Sequence, residues 1–179
     1  MTNCLNTQQQ MTNKEASSLQ ESMVAKYLGW NTVVGSGARP FRPGDVQNEY
    51  YLIECKTHTS EQQNIVFYTK HWDKISKEAR SINKYPALVV DNGTQKSQNT
   101  WVMIPKRVLP EKVFKVFGLV NTAKSDSTIT FRHESAKSLY KSGYNDEKIS
   151  YFPGWCNQEQ VAIMSLSEFK KFYEEEFES

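Results

Sequence analysis

The sequence predicts one α/β domain, built on a mixed β-sheet with helices packed against it. Helical and strand-like apolar patterns alternate through the first ninety residues in the order α-β-β-β-α-β. A chain of 179 residues is long enough for a single domain with a substantial core. Aromatic residues are plentiful and apolar runs are short, which is typical of a globular protein.

The first half of the chain supplies most of these elements. Residues 1–13 are rich in Asn, Gln and Thr and lack periodicity, which predicts a disordered tail. Apolar residues then recur at helical spacing over residues 14–28, and Gly29 ends that helix. A short extended segment at residues 30–34 leads into a loop rich in Gly and Pro. Strands follow at residues 44–47, 50–56 and 64–68, then a helix at 70–83 and a buried strand at 86–90.

Beyond residue 100 the patterns predict strands at residues 100–104, 127–131 and 161–164. They also predict a short helix at residues 110–117 and a final helix that Ser167 caps and that runs to about Phe177. Residues 121–130 and 142–150 are loop-like in composition. We therefore expect a core of residues 14–104 and a C-terminal extension of residues 105–179. No chemical motif is apparent in the extension, which we interpret as scaffold, dimer surface or a determinant of substrate specificity.

Composition excludes several classes of protein. The three cysteines, Cys4, Cys55 and Cys156, are scattered and odd in number, which argues against a disulfide framework. The three histidines lack the paired spacing of a structural zinc site. No apolar stretch is long enough to span a bilayer, and the chain does not open like a leader peptide. We therefore expect a cytoplasmic protein without a membrane partner. The net charge of +2 permits nucleic-acid binding but does not predict it.

One motif carries chemistry: Asp45, followed nine residues later by Glu54-Cys55-Lys56 at the end of an apolar run. Side chains alternate along a strand, so Glu54 and Lys56 project to the same side, and a preceding hairpin strand brings Asp45 alongside. Two carboxylates beside an ammonium group suit a hard divalent cation and the hydrolysis of a phosphodiester. The alternative is a solvated strand face and an Asp in a turn. The order of the surrounding elements favours the site.

That order resembles the PD-(D/E)XK nuclease superfamily, and the first ninety residues resemble archaeal and phage-type Holliday-junction resolvases. The similarity lies in residues 29–37 (Gly-Trp-Asn-Thr-Val-Val-Gly-Ser-Gly), 43–46 (Pro-Gly-Asp-Val) and 51–56 (Tyr-Leu-Ile-Glu-Cys-Lys), and it spans about half of the chain. It implies a restriction-endonuclease-like core, that is, a central mixed sheet flanked by helices. The sequence departs from the signature at Gly44, where the superfamily often has proline.

The resemblance also implies roles for individual residues. Asp45 and Glu54 would be metal-binding carboxylates, joined by the backbone carbonyl of Cys55, and Lys56 would position or activate the attacking water. A further catalytic acid would come from the first helix. Glu21 matches the pattern of that helix better than Glu15, and both remain open. The expected ion is Mg²⁺, for which Mn²⁺ can substitute.

Candidate contacts to DNA lie around this motif. A Gly-rich loop can approach a phosphate backbone closely, and basic residues on a helix can follow it. The alternatives are a mobile surface loop, an ordinary residue at a strand end and a solvated helix face. The candidates are Ser36, Arg39 and Arg42 in the loop, His58 just past the strand, and Lys70, Lys74 and Lys77 on the second helix.

Together these features predict a metal-dependent DNA endonuclease that resolves branched DNA such as a Holliday junction. Cutting two strands of a junction requires two symmetry-related sites, so we expect a homodimer. The alternatives are a small restriction-type endonuclease that reads duplex DNA, a catalytically inactive DNA-binding module of the same fold, and a nuclease directed at RNA.

Overall fold

The computed structural model describes residues 11–33, 43–110, 114–116, 127–143 and 149–179. Within these ranges the helices are α1 (Asn13–Leu28), α2 (Thr69–Ser81), α3 (His133–Gly143) and α4 (Leu166–Phe177). The strands are β1 (Asn31–Thr32), β2 (Val46–Gln47), β3 (Tyr51–Lys56), β4 (Asn64–Tyr68), β5 (Tyr85–Asp91), β6 (Thr100–Pro105), β7 (Phe114–Val116), β8 (Thr128–Arg132), β9 (Ile149–Cys156) and β10 (Glu159–Ser165). None of the helices in the described ranges is long and apolar enough to cross a membrane.

Eight of the strands form one mixed sheet in the order β1-β2-β3-β5-β6-β10-β9-β7, and β4 pairs with β8 separately. The pairs β3–β5 and β7–β9 are parallel, and the other neighbours in the sheet are antiparallel. The chain passes through β4 and α2 between β3 and β5, as a parallel pair requires a long crossover. The predicted fold class, a mixed α/β sheet flanked by helices, is confirmed.

Local signals explain where α1 begins and ends. The side chain of Thr12 accepts from the backbone N–H of Glu15, and the carboxylate of Glu15 accepts in return from the backbone N–H of Thr12 at 2.8 Å. Gly29 ends the helix in the left-handed conformation, with φ of 75°. The buried positions of α1 recur at intervals close to four residues, so one face of the helix meets the sheet: Ala16, Gln20, Val24, Ala25 and Leu28.

The core has two parts, one on each face of the sheet. Helices α1 and α4 cover one face, where Val24 and Phe169 pack against the sheet residues Tyr51 and Ile53. Helices α2 and α3 and the β4–β8 pair cover the other face, where Trp72 and neighbouring apolar residues are buried. Trp72 therefore belongs to the core, as its place in the helical pattern predicts. Residues 52, 54 and 56 of β3 alternate with residues 51, 53 and 55, so the two sets face opposite layers.

The C-terminal part of the chain completes this sheet. β10 lies antiparallel to β6, with Ala162 opposite Ile104, and β9 pairs with the far side of β10. α4 follows β10 directly, and its Phe169 makes edge contacts with the rings of Trp30 and Tyr51. These contacts join α4 to the first half of the chain.

Most predicted elements are present within one or two residues of the predicted bounds. The helix predicted at residues 14–28 is Asn13–Leu28, and the strand predicted at residues 64–68 is Asn64–Tyr68. The strand predicted at residues 86–90 extends over Tyr85–Asp91. Hydrophobic periodicity is strong in this half, and such segments specify their structure locally.

Two predictions in the second half are wrong. The short helix predicted at residues 110–117 is contradicted by Phe114–Val116, which form a strand paired in parallel with Ile149–Tyr151 of β9. Aromatic and β-branched residues favour a strand once a partner strand is available. The final helix is capped by Ser165 rather than Ser167, because the Ser165 hydroxyl accepts from the backbone N–H of Glu168 at 3.2 Å.

The sequence patterns also miss α3 and β9. The composition of residues 142–150 predicts a loop, whereas α3 extends to Gly143 and β9 begins at Ile149. β9 contains Pro153 and Gly154, which weaken a strand prediction. Close packing favours glycine at position 154, because a Cβ atom there would lie 3.1 Å from side-chain atoms of Ile129 and Val161.

Candidate functional site

Asp45 lies immediately before β2, in the hairpin that β2 makes with β3. Its backbone N–H donates to the carbonyl of Ile53 at 2.7 Å, and its carboxylate Oδ2 accepts from the backbone N–H of Cys55 at 2.8 Å. The carboxylate is therefore held against the peptide that joins Glu54 to Cys55. The hairpin brings Asp45 alongside Glu54, as the spacing of the motif predicts.

Gly44 explains why proline does not precede Asp45 in this chain. Its φ is +69°, and a Cβ atom there would lie 2.6 Å from Cδ1 of Leu52. Proline is restricted to φ near −65°, so it does not fit this backbone conformation. The departure from the superfamily signature is thus a local feature of the hairpin and leaves the Asp45 carboxylate in place.

Glu54 is the most buried acid of the site, with a side chain that is 3% exposed. Its Oε1 accepts from Nζ of Lys56 at 2.7 Å, and its Oε2 accepts from Nζ of Lys74 at 2.8 Å. Burial alone would raise the pKa of Glu54, but the two ammonium groups outweigh burial and hold the pKa below its usual value. Glu54 is therefore a buried, ionised carboxylate with an ammonium on each oxygen.

Lys74 ties α2 to this hairpin. Its Nζ lies 3.8 Å from Oε1 of Glu78, one helical turn further along, in addition to its bond with Glu54. Oε2 of Glu78 in turn accepts from the backbone N–H of Gly44 at 3.2 Å. Burial lowers the pKa of Lys74, but Glu54 and then Glu78 outweigh burial, and the net pKa is raised. The sequence predicts Lys74 as a DNA contact on the helix surface, whereas the structure pairs its ammonium with Glu54 and Glu78.

Glu21 of α1 lies within electrostatic range of the same cluster. Its pKa is raised to about 7, first by burial and then by the charges of Asp45 and Glu54, while Lys56 opposes the rise. The pKa of Asp45 is also raised, first by burial and then by Glu54, against the hydrogen bond from the Cys55 amide. Mutual repulsion among the carboxylates therefore contributes to both shifts.

Glu15, the other acid considered on α1, has a structural role. Its Oε2 accepts from the backbone N–H and from the hydroxyl of Thr12, both at 2.8 Å, and so completes the cap of the helix. These bonds lower the pKa of Glu15. Of the two candidate helix acids, Glu21 is the one whose pKa is raised by the charges of Asp45 and Glu54.

Gln20 is a site neighbour that the sequence analysis missed. Its side-chain N–H donates to the carbonyl of Lys56 at 2.8 Å, and the residue is fully buried. This bond joins α1 to the end of β3 at the backbone of Lys56. A signal was available, because Gln20 occupies a position between Ala16 and Val24 where the helical pattern expects an apolar residue.

A second missed feature supports the chain just after Lys56. The hydroxyl of Thr57 donates to Oδ1 of Asp91 at 2.5 Å, and the backbone N–H of Gly93 donates to the same oxygen at 2.7 Å. The side chain of Gln95 donates to the Thr57 hydroxyl at 2.9 Å. Asp91 is fully buried, and burial raises its pKa. Because β3 and β5 are parallel, their ends lie together, and Asp91 anchors the segment that follows the motif.

Cys55 projects to the side of β3 opposite Glu54 and Lys56. Its side chain is buried in the layer beneath α1, and burial, followed by the nearby carboxylates, raises the pKa of its thiol well above the usual value. These surroundings favour the neutral form of the thiol. The predicted ligand at this residue is its backbone carbonyl, which stays a prediction.

The remaining predicted DNA contacts divide into two groups. Lys70 and Lys77 are exposed on α2, four residues before and three residues after Lys74, so they share one helix face with it. His58 is exposed just beyond β3, and its carbonyl accepts from Gln95. The predicted loop contacts Ser36, Arg39 and Arg42 lie outside the described residues.

The donor chemistry of the cluster fits a hard divalent cation. Asp45, Glu54 and Glu21 offer only oxygen donors, which Mg²⁺ and Mn²⁺ prefer, and the repulsion among them would be relieved by a cation. The described ranges contain no group of three or more His, Cys, Asp or Glu side chains placed to hold a metal ion. Both Glu54 oxygens accept from ammonium groups instead, so an incoming cation has to compete with them.

Comparison with known proteins adds no relative to this description. No family model, no curated protein and no solved structure matches the chain. The fold is a mixed α/β sheet flanked by helices. Acids and lysines cluster at the end of the β2–β3 hairpin that lies away from its turn.

Proposed function

We propose that this protein is a metal-dependent DNA endonuclease of the PD-(D/E)XK superfamily, with a restriction-endonuclease-like core and resolvase-like activity on branched DNA. One observation carries the proposal: the β2–β3 hairpin holds Asp45, Glu54 and Lys56 together, and α1 carries Glu21 within electrostatic range of them. Burying a charged residue at the end of a strand costs free energy. Buried ionisable groups of this kind are common at functional sites, which supports the proposal.

The chain's own residues have distinct tasks under this proposal. Asp45 and Glu54, with Glu21 and the carbonyl of Cys55, would hold Mg²⁺, and Mn²⁺ would substitute for it. When bound, such an ion lowers the pKa of a water molecule and stabilises charge on phosphate oxygens. Lys56 keeps an ammonium beside Glu54, where it orients the attacking water and offsets the negative charge that builds on the phosphate.

DNA would approach over the exposed face of α2. Lys70 and Lys77 provide positive charge there for the phosphate backbone, and His58 lies next to the end of β3. Ser36, Arg39 and Arg42 are proposed as further phosphate contacts. Two cuts in a branched substrate require two sites, so the active form is proposed to be a symmetric dimer inside the cell.

A cleavage assay tests the proposal. Purified protein is incubated with labelled four-way junction, flap, duplex and single-stranded DNA, and with a matched RNA, in Mg²⁺ or in EDTA. We expect cleavage of the junction that requires the metal and that the Asp45→Asn variant lacks. Cleavage of duplex at one fixed sequence would instead indicate a restriction-type enzyme. Absence of cleavage on every substrate, with metal present, would overturn the proposal.

The second candidate is a DNA-binding module of the same fold without turnover. Two observations favour it. Lys56 and Lys74 occupy both oxygens of Glu54, and the described residues contain no group of three or more His, Cys, Asp or Glu side chains placed to hold a metal ion. The same samples distinguish it, because a module would shift the junction in a gel without cutting it. Its affinity would also be unaffected by Asp45→Asn in either Mg²⁺ or EDTA.

A further inference from the structure

Lys74 and Glu54 form an ion pair whose place in the cluster is unusual for a DNA contact. Their atoms Nζ and Oε2 are 2.8 Å apart, and the carboxylate is buried while the Lys74 side chain is 51% exposed. With Lys56 on Oε1, the ammonium of Lys74 completes the neutralisation that a divalent cation would otherwise supply. Ionised Asp45 and Glu54 are then balanced by the two lysines without a metal.

A divalent cation and Lys74 therefore compete for the same oxygen. Mg²⁺ binds carboxylate oxygen at about 2.0–2.1 Å, so a cation on Oε2 of Glu54 would lie close to the ammonium and repel it strongly. The cation binds only at the cost of separating Lys74 from Glu54. The side chain best able to leave is the one with solvent access and another partner.

Lys74 has both. Oε1 of Glu78 already lies 3.8 Å from its Nζ, at the i,i+4 spacing that suits a helix pair. Glu78 is itself fixed, because its Oε2 accepts from the backbone N–H of Gly44. By contrast, the ion pair described for Lys56 is the one with Glu54, and Lys56 is less exposed, at 38%.

We propose that Lys74 is a latch on the metal site: its ammonium holds Glu54 until a divalent cation binds, and then transfers to Glu78. The inference rests on the proposed metal-dependent function and deepens it. Lys74 is thus a positioning residue that acts through Glu54, and Glu78 is the acceptor that makes its release favourable. The released ammonium stays on the α2 face, where the proposed substrate lies.

The latch predicts opposite effects for its two partners. Lys74→Met removes the competing ammonium and should tighten Mn²⁺ binding by about twofold to fivefold, the range expected for a partly exposed ion pair. Glu78→Gln removes the acceptor and should weaken Mn²⁺ binding by a similar factor. Lys74→Arg keeps the charge and should remain closer to the unaltered chain than Lys74→Met does.

A matched control is available on α4. Lys170 and Glu174 form another i,i+4 pair, with a distance of 3.7 Å, between α4 residues that are not part of the cluster. Lys170→Met should leave Mn²⁺ affinity unchanged. Far-ultraviolet circular dichroism and thermal melting of each variant confirm that affinities are compared among folded proteins.

The experiment is a titration of the full chain with Mn²⁺ in the absence of DNA. Electron paramagnetic resonance measures the concentration of free Mn²⁺ at each step. Tighter binding by Lys74→Met and weaker binding by Glu78→Gln, both abolished by adding Asp45→Asn, would support the latch. Equal or weaker binding by Lys74→Met, with binding to the unaltered chain still dependent on Asp45, would overturn the latch alone. No Mn²⁺ binding by any of these proteins would overturn both the latch and the metal site.

Discussion

Strands β3 and β10 are both interior strands of the same sheet, yet they bury different chemistry. β10 buries four consecutive apolar residues at positions 161–164. β3 buries apolar residues at positions 51–53 and then the carboxylate of Glu54. An ionised carboxylate costs several kcal/mol to bury, and pairing with ammonium groups offsets that cost only in part, whereas an apolar residue avoids it. Under the proposed function, the apolar residues of β10 contribute stability and the charged end of β3 contributes the chemistry.

The largest effect should come from Glu54→Gln, which removes the charge at the end of β3 and keeps the shape. We expect cleavage of a four-way junction to fall by about a thousandfold or more, as for the loss of a central group in a hydrolytic site. Stability should change little, because the two lysines are exposed enough to turn towards water. Single-turnover cleavage rates and urea unfolding check the two parts. A variant with near-normal cleavage would remove Glu54 from the mechanism.

Ile163→Ala makes the complementary change in β10. Ile163 is fully buried, so the substitution should lower the free energy of unfolding by about 2–5 kcal/mol. Cleavage per folded molecule should stay close to normal at low temperature, because the residue does not belong to the acid cluster. Trp155→Ala is the control, since that side chain is 63% exposed. A stable Ile163→Ala variant that fails to cleave would contradict the assignment of β10 to stability and of the end of β3 to cleavage.

The sequence predicts the arrangement of Asp45, Glu54 and Lys56 at the end of β3 well because the relevant geometry is local. Alternation along a strand sets the relative directions of Glu54 and Lys56, and a short hairpin returns Asp45 to them. The arrival of Lys74 depends instead on how α2 packs against the sheet, which no short pattern specifies. Gln20 is intermediate, because its place on the buried face of α1 is visible in the sequence while its partner, the Lys56 carbonyl, is not.

The C-terminal elements were harder to predict for a related reason. β7 becomes a strand by pairing with β9, which lies far from it in the sequence. β9 in turn also pairs with β10 as a hairpin. Pro153 and Gly154 also lower the strand propensity of β9, and packing against Ile129 and Val161 overrides it. Local propensity is a weak guide wherever tertiary contacts decide the outcome.

A smaller effect distinguishes Glu21 from the deeper acid Glu54. Glu21 has a pKa of about 7, raised from 4.5, so it holds a proton over a range in which an unfolded chain does not. Its ionisation therefore removes stability as the pH rises through this range and, under the proposed function, improves the cation site. Mn²⁺ affinity should rise with pH, by at most about tenfold per unit, and level off above pH 7.

Glu21→Gln tests this assignment with titrations between pH 5.5 and 8.5. The variant should bind Mn²⁺ more weakly at high pH and should lack most of the rise in affinity. The Glu15→Gln variant is the control, because Glu15 caps α1, and it should retain the rise. An unchanged pH profile in Glu21→Gln would show that the proton is held elsewhere.

The smallest effect belongs to the exposed face of α2. Replacing Lys70 and Lys77 together with Ala should weaken DNA binding at low salt and reduce the slope of log affinity against log salt by about 2, one per phosphate contact. Cleavage at saturating DNA should be much less affected than affinity. The substitution of Lys170 and Lys171 on α4 provides a matched loss of charge. If both double variants give the same salt slope, α2 does not lie along the DNA.

Anomalous diffraction of crystals soaked in Mn²⁺ shows whether the acids at the end of β3 hold a divalent cation. We expect an anomalous peak between the carboxylates of Asp45 and Glu54, with Lys74 turned towards Glu78, and no such peak in Asp45→Asn crystals. Well-ordered carboxylates without a peak, and with both lysines still on Glu54 at saturating Mn²⁺, would contradict the proposed cation site.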